Sequence, residues 1–463
     1  MMITRNAVRS SPVTPVLATL LCFFLQACTE RIVFTDVTST NGLSGTVMVI
    51  SSGQTNTVSI STVYGPARPC GHLSDGRLVL NIETQSFDTD IYLADPTTGV
   101  VQNRIVGSDN KETCVFVTDD DTIIYSVIGQ GWAGADIMAI KATSTALSTP
   151  IATNTEDEYF LGVAPDKRVI FARRAGGEAY SIMSAPLTGG PATMLAQAFY
   201  PFAVAPIFNG ITSDNRVIFS ERVEYQQGSR SLDIFSVNTD GTGQMVVAKT
   251  PPNDEQFCLL TSDNRIIFTE RSSGVVNGQF ELRGQIFSVN PDGSNRLQLS
   301  PPVALYNDTC RGFTSNNRVI FSRAPSGSRD VFGQLWSLVA DGHSQPVLLA
   351  DAKAPTTNFF VRVTPSNRVL FETTTSQSTS NGTTFTRTLN SILADGTGLA
   401  TLTNNVNVVG GVAANERVIY NAFVGANGPT AYNMFSVPSD GSAAPTQLST
   451  SSNLQYLNFI YYQ

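Results

Sequence analysis

Histidine is almost absent from this chain, with only His72 and His343 among 463 residues. An imidazole-rich metal centre needs several such ligands converging, so that class of site is not expected; no cofactor is expected and no metal is assigned. Charge is sparse too, at 14% of residues, and leans acidic, with 37 Asp and Glu against 29 Lys and Arg. A surface of that sign repels a phosphate backbone, which excludes nucleic acid as an expected partner. Neither a Gly-x-Ser-x-Gly elbow nor a Walker-type glycine loop occurs, so the chain announces no hydrolase nucleophile and no nucleotide cradle. Helical 3.6-residue periodicity is missing as well, which argues against stacked helical repeats.

What is present begins with a leader. Arg5 and Arg9 precede an apolar run over residues 16–25, too short to cross a bilayer comfortably and laid out like a signal peptide. It ends in Leu25-Gln26-Ala27-Cys28, a small residue before a cysteine, which resembles the lipobox of bacterial lipoproteins. The expectation is a signal peptide over 1–27 and acylation of Cys28, anchoring a body of residues 28–463 to a membrane. An ordinary signal peptide with a chance cysteine is the alternative. Thr29, where an Asp commonly signals inner-membrane retention, favours the outer membrane of the cell envelope. Without the leader the basic residues number 29 − 2 = 27 against 37 acidic.

The body repeats one short phrase: Arg77-Leu-Val-Leu, Thr122-Ile-Ile-Tyr, Arg168-Val-Ile-Phe, Arg216-Val-Ile-Phe, Arg265-Ile-Ile-Phe, Arg318-Val-Ile-Phe, Arg368-Val-Leu-Phe and Arg417-Val-Ile-Tyr. Their spacing runs from 45 residues (77 to 122) to 53 (265 to 318), which suits four short strands, a to d, with their turns. In the clearest unit strand a is 208–212, b is 216–220, c is 233–237, and Asp240-Gly241 turns into d at 245–248. Strand b is apolar without alternation, so both of its faces must be covered, as they are between radially packed sheets.

Ala164-Pro165-Asp166-Lys167-Arg168-Val169-Ile170-Phe171 resembles the "SPDGKRIAF" phrase of TolB-like propeller repeats. Asp233-Ile234-Phe235-Ser236-Val237 with Asp240-Gly241 is similar to their "DIYVMDLDG" phrase. The resemblance covers nearly all of the body and implies an all-β chain forming a single β-propeller of four-stranded blades. It departs from the family phrase in placing Asn215, Asn264, Asn317 and Asn367 where glycine is usual. Arg31-Ile32-Val33-Phe34 supplies a further strand b without a strand a, and residues 457–461 offer a lone strand a. Pairing the two ends would close the ring. The count is then nine blades, with eight and an outlying N-terminal hairpin as the alternative.

Cys70, Cys114, Cys258 and Cys310 fall 7 or 8 residues before the strand-b phrase, at the start of strand a in two pairs of consecutive repeats. In an exported protein that pattern predicts disulfides Cys70–Cys114 and Cys258–Cys310, four buried thiols being the alternative. The recurring arginines read as fold-keeping, bonded to Asp or carbonyl groups.

Seven carboxylates precede strand a: Glu112, Glu156, Asp157, Glu158, Asp254, Glu255 and Asp308. They are expected around one mouth of the channel. The same face would carry long b–c loops at 221–231, 270–284, 323–333 and 373–388. The function expected is an interaction module that docks an envelope protein, peptide or glycan there, more in keeping with binding than catalysis. A lyase or glycoside hydrolase using mouth carboxylates is the alternative.

Overall fold

The computed structural model describes all residues except 1–29, 38–44, 52–56, 61–66, 86–87, 130–133, 143–146, 176–178, 198–205, 225–229, 277–278, 302–305, 326–332, 353–354, 380–381, 405, 414, 424–431, 450–453 and 463. The leader and Cys28 lie outside the described residues.

The repeat folds as its punctuation demands. In the Arg216 repeat, strands Ile207–Ile211, Arg216–Glu224, Arg230–Asn238 and Met245–Ala248 pair antiparallel in that order. The same a-b-c-d order recurs along the chain, and the protein is an all-β propeller. The number of separate blades is corrected, however. Five four-stranded blades stand alone: the terminal sheet and the Arg168, Arg216, Arg368 and Arg417 repeats. The Arg77 and Thr122 repeats share one eight-stranded sheet, and the Arg265 and Arg318 repeats share another. Neither nine nor eight independent blades is therefore the arrangement. Fusion occurs where strand c of one repeat meets strand a of the next in a parallel bridge, Thr89 opposite Lys111 and Gly284 opposite Asn307. A turn-and-period reading cannot see such lateral bridges.

The terminal sheet has the order Thr57–Ile60, Gly45–Ser51, Glu30–Val37, Leu454–Tyr462. Ile32 lies opposite Ile460 and Val33 opposite Phe459. The last strand of the chain thus supplies the inner strand that the first segment lacks. It touches both Val408–Val412 and Ala67–His72, the inner strands on its two sides.

Strand b shows why the apolar run is unbroken. Val217 and Phe219 pack back against Ile170, Ile182 and Leu195 of the preceding repeat. Ile218, between them in sequence, faces forward against Ile266 and Phe268 of the next. Successive side chains of a strand point to opposite faces, and all three here are fully buried. Burial of each such side chain is worth about 1.5–3 kcal/mol.

Two polar ties cross the same gaps. The residue before strand b is left-handed in repeat after repeat, with φ of 60–66° at Asp121, Lys167, Asn215, Asn264, Asn317, Asn367 and Glu416. Glycine adopts that φ without strain, and it does so at Gly76. The side chains are there to reach sideways. Asn264 Oδ1 accepts from the Ser213 backbone N–H at 2.9 Å, and its Nδ2 donates to Ser213 Oγ at 2.7 Å. Asn215 accepts from Asp166 N–H, Asp121 from Ser74 N–H and Glu416 from Ser366 N–H in the same way.

The second tie uses the recurring arginine. Its partner is neither Asp nor carbonyl alone but a buried serine on strand c: Arg168–Ser184, Arg216–Ser236, Arg265–Ser288, Arg318–Ser337, Arg368–Ser391 and Arg417–Ser436, at 2.6–2.9 Å. Only Arg77 takes an Asp, Asp75, among these. Ser236, Ser337 and Ser391 donate onward to carbonyls of the next repeat, at Pro291, Ala394 and Ser439.

Both disulfides are present, Cys70–Cys114 and Cys258–Cys310, each with Cα atoms 6.0 Å apart. Each links inner strands of adjacent repeats. The cysteines stand mid-strand, in Ala67–His72, Lys111–Val117, Asp254–Leu260 and Tyr306–Phe313, rather than at the strand starts.

Asn264→Gly relaxes the backbone yet removes the lateral tie, and is expected to lower stability by about 1 kcal/mol in denaturant melts. Asn264→Asp, which keeps the acceptor, retains most of it. Replacing Cys258 and Cys310 together by Ala opens a 52-residue loop. The expected loss is about 4 kcal/mol, checked by the same melts alongside thiol mapping of the parent.

Candidate functional site

The acidic residues ahead of strand a divide by exposure. Glu112, Glu158, Glu255 and Asp308 occupy one repeat position, opposite Val127, Arg173, Glu270 and Arg323 respectively on strand b. They are only 3%, 1%, 0% and 3% exposed. The expectation that all seven carboxylates ring an open mouth is therefore corrected: these four are packed between neighbouring strands. Glu156, Asp157 and Asp254 remain half-buried at the edge. Burying a carboxylate demands a compensating group or a proton, and each repeat meets the demand differently.

Asp308 takes a fork from Arg323, with Nε to Oδ1 and Nη2 to Oδ2 both at 2.7 Å. That guanidinium lies over Trp336 and Phe321, 5.3 and 5.5 Å from their ring centres. Glu158 accepts from Arg173 Nε at 3.0 Å. Burial pushes the Glu158 carboxyl up to about 7, with Arg173 opposing. Glu255 lies opposite Glu270 rather than an arginine. Burial, and then the like charges of Asp233 and Glu270, push its carboxyl up to about 8.

Glu112 has no arginine across the strand pair. Ser108 Oγ donates to its Oε1, while Oε2 has no hydrogen-bond partner among the described residues. Beside it, Asp90 is 1% exposed and receives Arg104 Nη1 at Oδ2, 3.1 Å away. Asp88 accepts from Thr84 Oγ1 at 2.9 Å. One carboxylate oxygen from each of Asp88, Asp90 and Glu112 lies within 4.8 Å of the others. Burial raises the carboxyls of both Asp90 and Glu112 above the ordinary carboxylate range. Sequence reasoning picked out Glu112 but missed Asp88 and Asp90; the signal was an alternating Asp-Thr-Asp entering strand c.

Above this buried layer rises the edge that carries the b–c connections. Two of the four expected loops are paired strands. Ile266–Val276 pairs with Gln279–Val289 out to Val276 opposite Gln279, and Arg368–Thr379 pairs with Gly382–Leu393 out to Thr379 opposite Gly382. Of the segment 221–231, residues 221–224 and 230–231 are strand, within Arg216–Glu224 and Arg230–Asn238, and 225–229 lie outside the described residues. The sequence carried the cue, since Asn277-Gly278 stands in sequence between the two strands of the first hairpin and Asn-Gly is a two-residue hairpin signal. Thr-rich 373–388 hid the second because neither face is apolar. Phe385 stands 67% exposed on that hairpin, and Tyr159 and Tyr306 are exposed near the starts of their strands a.

No protein-family model matches the chain, and no curated protein sequence does. Among solved structures, a eukaryotic initiation factor superposes over 94% of this chain and 98% of its own, at 8% identity and a TM-score of 0.56. A prolyl endopeptidase matches over 80% of this chain at 9% identity and a TM-score of 0.39, and the chain spans about half, 55%, of its length. TolB from Acinetobacter baumannii matches over 58% of this chain and 63% of its own, at 14% identity and a TM-score of 0.30. At 8% identity the likeness to the initiation factor is one of fold.

Glu255 gives a pH signature. Its folded carboxyl titrates near 8 against an ordinary value of 4.5, so the native state holds the proton more tightly than the unfolded one. Its contribution is fully present below pH 4.5 and is lost as pH rises through 8. Glu255→Gln should therefore melt close to the parent at pH 5 and several degrees above it at pH 9, in thermal melts across that range.

Proposed function

We propose that this protein is a lipid-anchored interaction module of the cell envelope, which docks a protein, peptide or glycan on the edge bearing the b–c hairpins. The observation that carries this is the reach of those hairpins. In the Arg265 repeat, strand a begins with Asp254 opposite Arg271, and the b–c pairing continues five residues further, from 272 to 276. At about 3.3 Å per residue that is a projection of roughly 16 Å. The Arg368 hairpin extends four residues past Thr375, the partner of the first strand-a residue, and displays Phe385. Paired arms on a rigid ring present side chains to a partner at little ordering cost.

The anchor reading fits this orientation. Glu30, the first residue of strand b in the terminal sheet, is opposite Tyr462, at the edge where strands a turn into strands b. An acyl group on Cys28 would hold that edge to the membrane, outer by the residue at 29, and leave the hairpins facing away. The enzyme reading loses four of the acids it would use, since Glu112, Glu158, Glu255 and Asp308 are buried.

Two measurements test the proposal. Cys28→Ser should abolish incorporation of a fatty-acid analogue and release the protein from membrane pellets. Shortening the Arg265 hairpin by removing residues 273–282 should abolish photo-cross-linking to envelope components while leaving the melt within a few degrees of the parent. Undiminished cross-linking by the shortened protein would overturn the docking face.

A further inference from the structure

We propose that Asp88, Asp90 and Glu112 form a binding site for one divalent cation, calcium by its chemistry, at the seam between the Arg77 and Thr122 repeats. The seam is where Thr89 of strand c bridges Lys111 of the next strand a. That bridge sets Asp88 and Asp90 on either side of Thr89, next to Glu112. The three carboxylates each offer an oxygen within 4.8 Å of the other two. Ligands at 2.3–2.6 Å from a shared calcium ion can be at most about that far apart, and hard oxygen donors are what it takes.

Three oxygens of this cluster have no hydrogen-bond partner among the described residues: Asp88 Oδ1, Asp90 Oδ1 and Glu112 Oε2. Two of them belong to side chains at least 97% buried, since Asp90 is 1% and Glu112 3% exposed. Buried acceptors left unpaired are costly and uncommon, so the cluster is complete only with a positively charged guest. Arg104 supplies a single charge to Asp90 Oδ2, so three carboxylates against one guanidinium leave −3 + 1 = −2, the complement of a divalent ion. Gly107 lets the backbone pass close by, since a Cβ there would stand 2.6 Å from both Asp90 Oδ1 and Arg104 Cδ.

The other fused seam is an internal control. There Gly284 bridges Asn307, so Asp308 stands where Glu112 does, while Arg283 and Gln285 replace Asp88 and Asp90. Asp308 is neutralised across the strand pair by Arg323. Glu112 faces Val127 instead. One seam carries its cation in the sequence, and the other must take it from solution.

The test uses the mature chain, stripped with chelator and dialysed at pH 7.5. Native mass spectrometry should show one calcium per chain, with Kd on the order of 10⁻⁵–10⁻³ M and Tm raised by about 4 °C or more at saturation. Asp88→Asn, at the half-buried ligand, should weaken binding at least tenfold. Val127→Arg should copy the sister seam, losing the calcium response and melting higher than the stripped parent without metal. Failure of the folded parent to take up calcium at about 10 mM would overturn the proposal and leave protonation as the way the cluster is neutralised. A calcium response unchanged in Val127→Arg would overturn it equally, whether or not Asp88→Asn folds.

Discussion

A strand with two apolar faces can be satisfied only by neighbours on both sides. Every strand b in this protein is such a strand, and the consequences run through the molecule. Phe171, Phe219, Phe268 and Phe321 each fill the gap to the repeat before, while Ile170, Ile218, Ile267 and Ile320 fill the gap to the repeat after. No sheet of this kind can stop at an end, because the last would leave one face wet. The terminal sheet answers that demand by drawing its inner strand from the other end of the chain, with Ile32, Ile50, Ile419 and Met434 sealing the seam.

Apolar gaps alone would let one sheet slide on the next, since dispersion and burial are not directional. Direction comes from the polar ties at the turn edge. A left-handed residue with a side chain is a strained choice where glycine would serve, and its repetition is explained by what the side chain holds in the preceding repeat. The arginine–serine pair performs the same service one layer deeper. Disulfides add covalent ties between inner strands at the two fused seams, Cys70–Cys114 and Cys258–Cys310. Those seams also hold two of the buried carboxylates, Glu112 and Asp308. Their neutralisation therefore bears on how firmly the repeats stay joined.

The contrast between the two edges organises the chemistry. The turn edge is short and cross-tied, whereas the opposite edge combines hairpins of unequal length with half-buried Glu156, Asp157 and Asp254. Variation is tolerated where no neighbour must be matched. That is also where a partner would find side chains free to contact it.

Much of this was legible in the chain. The recurring Arg-Val-Ile-Phe phrase, its spacing and the unbroken apolar character of strand b determined an all-β propeller, and the cysteine offsets determined which inner strands are bonded. Complementary ends in residues 31–34 and 457–461 pointed to the strand pairing that completes the terminal sheet. Lateral facts were decided only in three dimensions. Whether Thr89 bridges Lys111, and so fuses two repeats, depends on how closely two sheets approach, and no spacing records that. Nor could local pattern tell that Glu112 is buried beside Asp88 and Asp90 while Glu156 reaches the edge. Sequence period fixes a residue's place within its own repeat, but what flanks it laterally comes from the neighbouring one, as Asp88 and Asp90 come to Glu112.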